Sequence, residues 1–221
     1  MKTKLWILLI VSGIIFSACK KDDDTVKENI FENGKLNLKY FASTLPKSAE
    51  ISVGQPYENT DSYFTARVRE AGMLNGQYPG WCIETGVGIK PHQKNTVSVH
   101  SSYESLTGYD KIFLNRLNWL FNQEFVKHGF TYGEVQIALW GLKHGYTLFT
   151  EDVYDELNHT RPPNLFNPES IGEWEKGKVN EILTQTAGIN DYVPGVGGIV
   201  AIILIDPENQ DVAFEYKLPS K

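Results

Sequence analysis

Two side chains in this sequence could react with each other: the thiol of Cys82 and the carboxamide of Gln136. The chain has two cysteines. Cys19 closes an N-terminal segment of export type, so Cys82 is the one thiol left for the folded domain and has no disulfide partner there. A leftover cysteine in an exported protein points to intermolecular pairing or to a reactive thiol. If the two groups meet, thiolate attack on the Gln136 carbonyl expels ammonia and leaves an internal thioester. An amine can later attack that carbonyl, which joins Gln136 to its target and returns Cys82 to a thiol. This is nucleophilic chemistry performed once per molecule. It needs apolar walls against water, for which Trp81, Ile137 and Trp140 are the candidates.

Positioning these groups requires a strand and a helix start. Gly72 to Gly80, rich in Gly, Asn and Pro, reads as a loop delivering Trp81-Cys82-Ile83 as a short strand. Thr131-Tyr132-Gly133-Glu134 reads as a capping box, with Thr131 as N-cap and Glu134 at N3. Gln136 is then the fifth helical residue. Gly133 would let another backbone approach the first turn closely. A helix N-terminus carries partial positive charge, so a cysteine brought there would lose its proton more readily, and a developing oxyanion would be stabilised. Tyr132 and Glu134, placed near Gln136 by this helix start, are the candidates to assist bond formation.

The segments Trp81-Cys82-Ile83-Glu84 and Gln136-Ile137-Ala138-Leu139-Trp140 resemble the paired motifs of the bacterial Cys–Gln thioester domains of surface adhesins. The similarity spans roughly residues 75 to 218, with a helix at Leu114 to Phe125 and a glycine-led apolar strand at Gly197 to Ile205. The resemblance implies that Cys82 is the sulfur donor, Gln136 the acyl donor, and the function covalent attachment to a host or neighbouring surface. Two features depart from the pattern. Val135 stands where the family often has Thr, and the sequence ends at Lys221 without a cell-wall sorting tail.

Export and anchoring come from the N-terminus. Lys2 and Lys4 precede an apolar stretch, Leu5 to Ile15, too short for a stop-transfer helix. Phe16-Ser17-Ala18-Cys19 resembles a lipoprotein signal, in which Cys19 becomes the lipidated N-terminus; stable anchoring takes two or more acyl chains, such as palmitate. Residues 1–18 are read as the signal peptide, 19–34 as a lipidated acidic tether containing Asp22-Asp23-Asp24, and 35–221 as the thioester-type domain. The expected location is the outer membrane, lipid-anchored and exposed on the cell surface.

Composition narrows the classes further. With 21 basic against 27 acidic residues there is no basic stripe, which argues against a nucleic-acid partner. No Cys/His/carboxylate group has metal spacing, Gly195-Val196-Gly197-Gly198 lacks the Lys-Ser/Thr of a phosphate loop, and no cofactor is implied. Alternation at Leu36, Leu38 and Tyr40, at Ile51 and Val53, from Tyr63 to Val68 and from Thr96 to His100 predicts strands. Helices are expected after Asp110, after Thr131, over Thr150 to Leu157 and from Asn167-Pro168 to Gly188. Strands return at Ile199 to Ile205 and at Val212, Phe214 and Tyr216. This order predicts an α+β fold, an antiparallel β-sandwich or barrel with a helical insertion carrying the Gln motif.

The expected partner is an amine-bearing protein or glycan on a host or neighbouring surface, and the chemistry is not that of a turnover enzyme. The main rival is a secreted cysteine hydrolase using Cys82 with His100 or His144 as base. The other is a lipoprotein that binds glycan or protein non-covalently through exposed aromatics.

Overall fold

The structure, a computed structural model, describes residues 30–54, 61–85, 90–159, 166 and 171–220. The signal segment, Cys19 and the Asn167-Pro168 helix start lie outside the described residues, and no helix of the described residues is long and apolar enough to cross a membrane.

Six antiparallel strands close into a barrel: β3 (Ser48–Val53), β4 (Phe64–Arg69), β5 (Gly76–Cys82), β6 (Asn95–Ser101), β7 (Ile199–Ile205) and β8 (Val212–Lys217). Their order around the barrel is β3-β4-β5-β8-β7-β6, with β6 closing on β3. Burial alternates along β3, β4 and β6, as expected for strands with one face to a core. β7 differs: Val200 to Leu204 are all buried, because one face lines the barrel and the other is covered by a helix. The fold is α+β, and its helices α2 (Lys111–Phe121), α3 (Tyr132–Lys143), α4 (Glu151–His159) and α5 (Lys176–Thr186) all fall between β6 and β7.

Three local expectations are corrected. Leu36, Leu38 and Tyr40 do not form one strand. Asn33 and Gly34 both adopt positive φ, the requirement of a tight hairpin turn, and join β1 (Phe31–Glu32) to β2 (Lys35–Leu36). Asn37 then caps α1 (Leu38–Thr44), its side chain accepting from the Tyr40 N–H at 3.1 Å. The folded part therefore reaches back to the fully buried Ile30, into the stretch expected to be tether. Gly76 to Gly80 is strand rather than loop. A Cβ at Gly80 would lie 2.2 Å from the Phe64 ring, so glycine there lets an aromatic side chain lie over the strand. The last helix of the insertion is helical over Lys176–Thr186, and the segment Gly172 to Glu175 before it is not.

The insertion is bound to the barrel by apolar packing and by side-chain amides. Phe113, Leu114, Leu117, Leu120 and Phe121 form the buried stripe of α2 at helical spacing. Asn118, on the same helix, accepts from the Ala201 N–H at 2.9 Å. Asn122 takes both backbone groups of Ile199, accepting from its N–H at 2.9 Å and donating to its carbonyl at 2.7 Å. These amides satisfy backbone groups at the start of β7 that would otherwise be buried unpaired.

The N-terminus of α3 carries the expected capping box. Thr131 Oγ1 accepts from the Glu134 N–H and Glu134 Oε2 from the Thr131 N–H. Gly133 does permit a close backbone approach, but the approaching chain is Ile171, whose carbonyl oxygen would lie 2.4 Å from an added Cβ. Gly133→Ala is therefore expected to destabilise the domain by about 1–3 kcal/mol despite alanine's better helix propensity, read as a lower midpoint in urea unfolding; an unchanged or raised midpoint would show that the Ile171 segment yields without cost.

Candidate functional site

Cys82 is the last residue of β5, and its surroundings follow from where neighbouring strands stop. β8 continues beside it, pairing Cys82 with Val212. On the other side β4 begins only at Phe64, opposite Gly80. The N–H of Ile83 turns toward β8 and donates to the Asp211 carbonyl. The backbone groups of Cys82 point the opposite way, past the end of β4.

Gln136 fills that gap. Its Oε1 accepts from the Cys82 N–H at 3.0 Å and its Nε2 donates to the Cys82 carbonyl at 2.7 Å. The carboxamide thus sits in the sheet plane like one peptide of an absent strand. Cys82 is 1% exposed and Gln136 is fully buried. A second clamp lies one helical turn on: Trp140 Nε1 donates to the Glu84 carbonyl at 3.0 Å. Residues 136 and 140 share a face of α3, so the two motifs meet at two points in register. Glu84 is tied on its other sides as well, its carbonyl accepting from Gln210 Nε2 and its Oε2 from the Asp211 N–H.

The residues flanking the pair are buried: Trp81, Ile83, Ile137 and Trp140 are each at most 2% exposed. The expectation that Trp81 walls the thiol is corrected: it turns to the opposite face of β5 from Cys82, where its Nε1 donates to Glu215 Oε1 at 2.9 Å and its ring packs against Phe121 of α2. Burial alone pushes the Cys82 thiol far above its ordinary value. The expectation that a helix N-terminus would acidify it is corrected. Cys82 meets the side chain of the fifth helical residue, while the N-terminus itself is closed by segment 171–175: Thr131 Oγ1 donates to the Glu173 carbonyl, and Glu175 N–H donates to Glu134 Oε1.

The two candidate assistants stand differently. Glu134 lies about 200° around α3 from Gln136 at ideal helix geometry. Both its oxygens are engaged, by Thr131 and Glu175, with Lys178 at 3.9 Å. It is a capping residue. Tyr132 shares the Gln136 face, four residues earlier, but its hydroxyl lies against Gly172.

The histidines considered for a hydrolase are elsewhere. His100 is on the outward face of β6, with two strands between it and β5 in either direction round the barrel, and its ring nitrogens lie 3.1 Å from Glu104 and Ser98. His144 caps the C-terminus of α3, about 12 Å along the axis from Gln136, with Nε2 at 2.9 Å from Thr85 Oγ1. Among the described residues, no group of three or more His, Cys, Asp or Glu could hold a metal ion.

The geometry bonds the Gln136 carboxamide to the backbone of Cys82 in a dry site and aims the Cys82 N–H at the carboxamide oxygen. Sequence reasoning missed the reason for Glu84, the part played by Asn118 and Asn122, and the carboxyl of Glu215. Asn122 at Ile199 has the same two-bond arrangement as Gln136 at Cys82. Bidentate pairing is thus a structural device of this fold, and what sets the Gln136 site apart is that the paired residue is a cysteine.

No protein-family model and no curated protein matches this sequence. Among solved structures the chain is similar to the N-terminal domain of the Streptococcus pyogenes pilus tip adhesin Cpa, at a TM-score of 0.45 and 7% identity over 78% of this chain and 94% of that one.

On a Cys82→Ala background, where the side chain of residue 82 takes no part, replacing Gln136 with Leu leaves the buried N–H and carbonyl of residue 82 without partners. The expected loss is about 2–4 kcal/mol of unfolding free energy, measured by urea denaturation; a loss below about 0.5 kcal/mol would mean the two bonds do not hold α3 to β5.

Proposed function

We propose that Cys82 and Gln136 form an internal thioester and that the protein is a surface-anchored adhesin capturing amine-bearing targets covalently. The observation that carries this is the buried pairing of the Gln136 carboxamide with both backbone groups of Cys82. The likeness of the two sequence motifs to those of thioester domains supports it.

The chemistry is balanced by the groups present. Cys82 Sγ attacks Gln136 Cδ; the C–S bond forms, the C–N bond breaks, and Nε2 leaves as ammonia with the thiol proton. As the tetrahedral centre forms, charge builds on Oε1, which the Cys82 N–H already contacts. Nε2 is held by the Cys82 carbonyl until it departs. The apolar site opposes a lasting thiolate but not a thioester, which is neutral. It stores the electrophile by withholding water. A target amine then attacks Cδ, the C–S bond breaks, and the proton returns to sulfur. Val135, where relatives of this type often carry Thr, supplies no hydroxyl, so the backbone N–H is the donor on which the step relies.

The anchor is proposed on the N-terminal sequence: export, lipid on Cys19 and display at the outer membrane. The acceptor is a primary amine on a protein or glycan of a host or neighbouring surface. No base for a cysteine hydrolase is seen at Cys82 among the described residues, since His100 and His144 are bonded elsewhere.

Incubation of the purified protein with a biotin-linked alkylamine, followed by a denaturing gel, tests the proposal. Label surviving denaturation is expected on the wild type, at Gln136 by peptide mapping, and none on Cys82→Ala. Equal labelling of both proteins, or none on fresh wild type, would refute it.

A further inference from the structure

On the outer face of β5 and β8, beneath the turn that comes after α2, lies a cavity of about 390 Å³, within the size range of small-ligand sites. Neither Cys82 nor Gln136 lines it, although their chain neighbours Trp81 and Val135 do. Its walls are mainly apolar, with Trp81, Phe121, Phe125, Val135 and Ile199 among them. One carboxyl is set into this apolar surface, that of Glu215 on β8. Its Oε1 accepts from Trp81 Nε1 at 2.9 Å. No donor among the described residues is bonded to its Oε2.

The surrounding charge favours a cation. Three carboxylates, Asp61, Glu124 and Glu215, line the cavity against two ammonium groups, Lys127 and Lys217. Lys127 is bonded to Glu124, and no bond from it to Glu215 is made among the described residues. An ammonium on Oε2 would make a charge-assisted hydrogen bond, and its apolar body would pack on aromatic rings that also attract cations through their faces.

We propose that this cavity binds a primary ammonium group carried on an apolar body the size of one aromatic ring, with its N–H on Glu215 Oε2. Binding is reversible and separate from covalent capture at Gln136. The pH dependence comes from Glu215. Burial pushes its carboxyl up to about 7, against the pull of the Trp81 bond and of Lys127, with Glu124 and Asp61 also raising it. The ionised form binds the cation, and an alkylammonium stays charged well above that pH. Affinity therefore rises as pH climbs through 7 and levels above about 8.

The probes are 2-phenylethylamine, its neutral isostere 2-phenylethanol and its anionic counterpart 3-phenylpropionate, titrated calorimetrically into the wild-type protein at pH 6 and pH 8. At pH 8 the amine is expected to bind at least about tenfold more tightly than the alcohol, and the anion more weakly than either. The amine, and not the alcohol, should gain affinity from pH 6 to pH 8. Glu215→Gln, which can still accept from Trp81, should bring amine and alcohol to within about threefold of each other and remove the pH dependence. Full release of the amine on dialysis separates this binding from an adduct at Gln136. Equal binding of the three probes by the wild type, or no saturable binding of the amine, would overturn the proposal.

Discussion

The contact that organises this molecule is the two-bond pairing of a helix side chain with the backbone of the last residue of a strand. β5 outruns β4 by two residues, so the N–H and carbonyl of Cys82 are buried with no strand to receive them. Gln136 supplies both partners. That satisfies the sheet, ties the helical insertion to the barrel and bonds the carboxamide to the backbone of the residue that carries the thiol. With Trp140 bonded to the Glu84 carbonyl one turn further on, α3 cannot slide along β5 without breaking bonds at both points. Stability and proposed reactivity thus rest on the same pair of hydrogen bonds.

Burial decides which species this site tolerates. A thiolate would have to exist where desolvation strongly opposes charge, and nothing cationic among the described residues offsets that at Cys82. A neutral thiol and a neutral thioester are both compatible with the apolar walls. On the other face of the same strand the opposite choice is made: Trp81 carries a hydrogen bond to a carboxyl held near neutrality. Adjacent residues of one strand therefore present a dry, uncharged site on one side and a titratable one on the other. Strand alternation is what keeps them apart.

Much of the barrel was legible because alternation is a direct imprint of a half-buried strand. Ile51 and Val53, the Tyr63 to Val68 run and Val212, Phe214 and Tyr216 all fall in or beside strands of the barrel. Thr131 to Glu134 announced the start of α3, because its cap is made from local residues. What failed were places where a distant contact sets the local structure. Gly76 to Gly80 has the composition of a loop, yet it is strand because Phe64 needs the space that Gly80 leaves. Leu36 and Tyr40 are spaced for either period, and the Asn33-Gly34 turn with the Asn37 cap settles the matter for hairpin and helix. At the site, Cys82 and Gln136 could be named from their chemistry, but how they meet could not, since it depends on where β4 begins. Glu215 sits at the outward position of an alternating strand, where an acidic residue ordinarily meets water; only the packing of α2 and the turn after it over that face makes it half-buried.

The thioester is tested most directly by the intact mass of the untreated protein, measured beside Cys82→Ala and Gln136→Ala. If the bond forms, the wild-type mass is one ammonia below the value that both variants' masses give once their substitutions are allowed for, with N-terminal processing common to all three. A wild type at full mass, with Cys82 alkylated as soon as the chain is denatured, would contradict it and leave Gln136 a purely structural clamp.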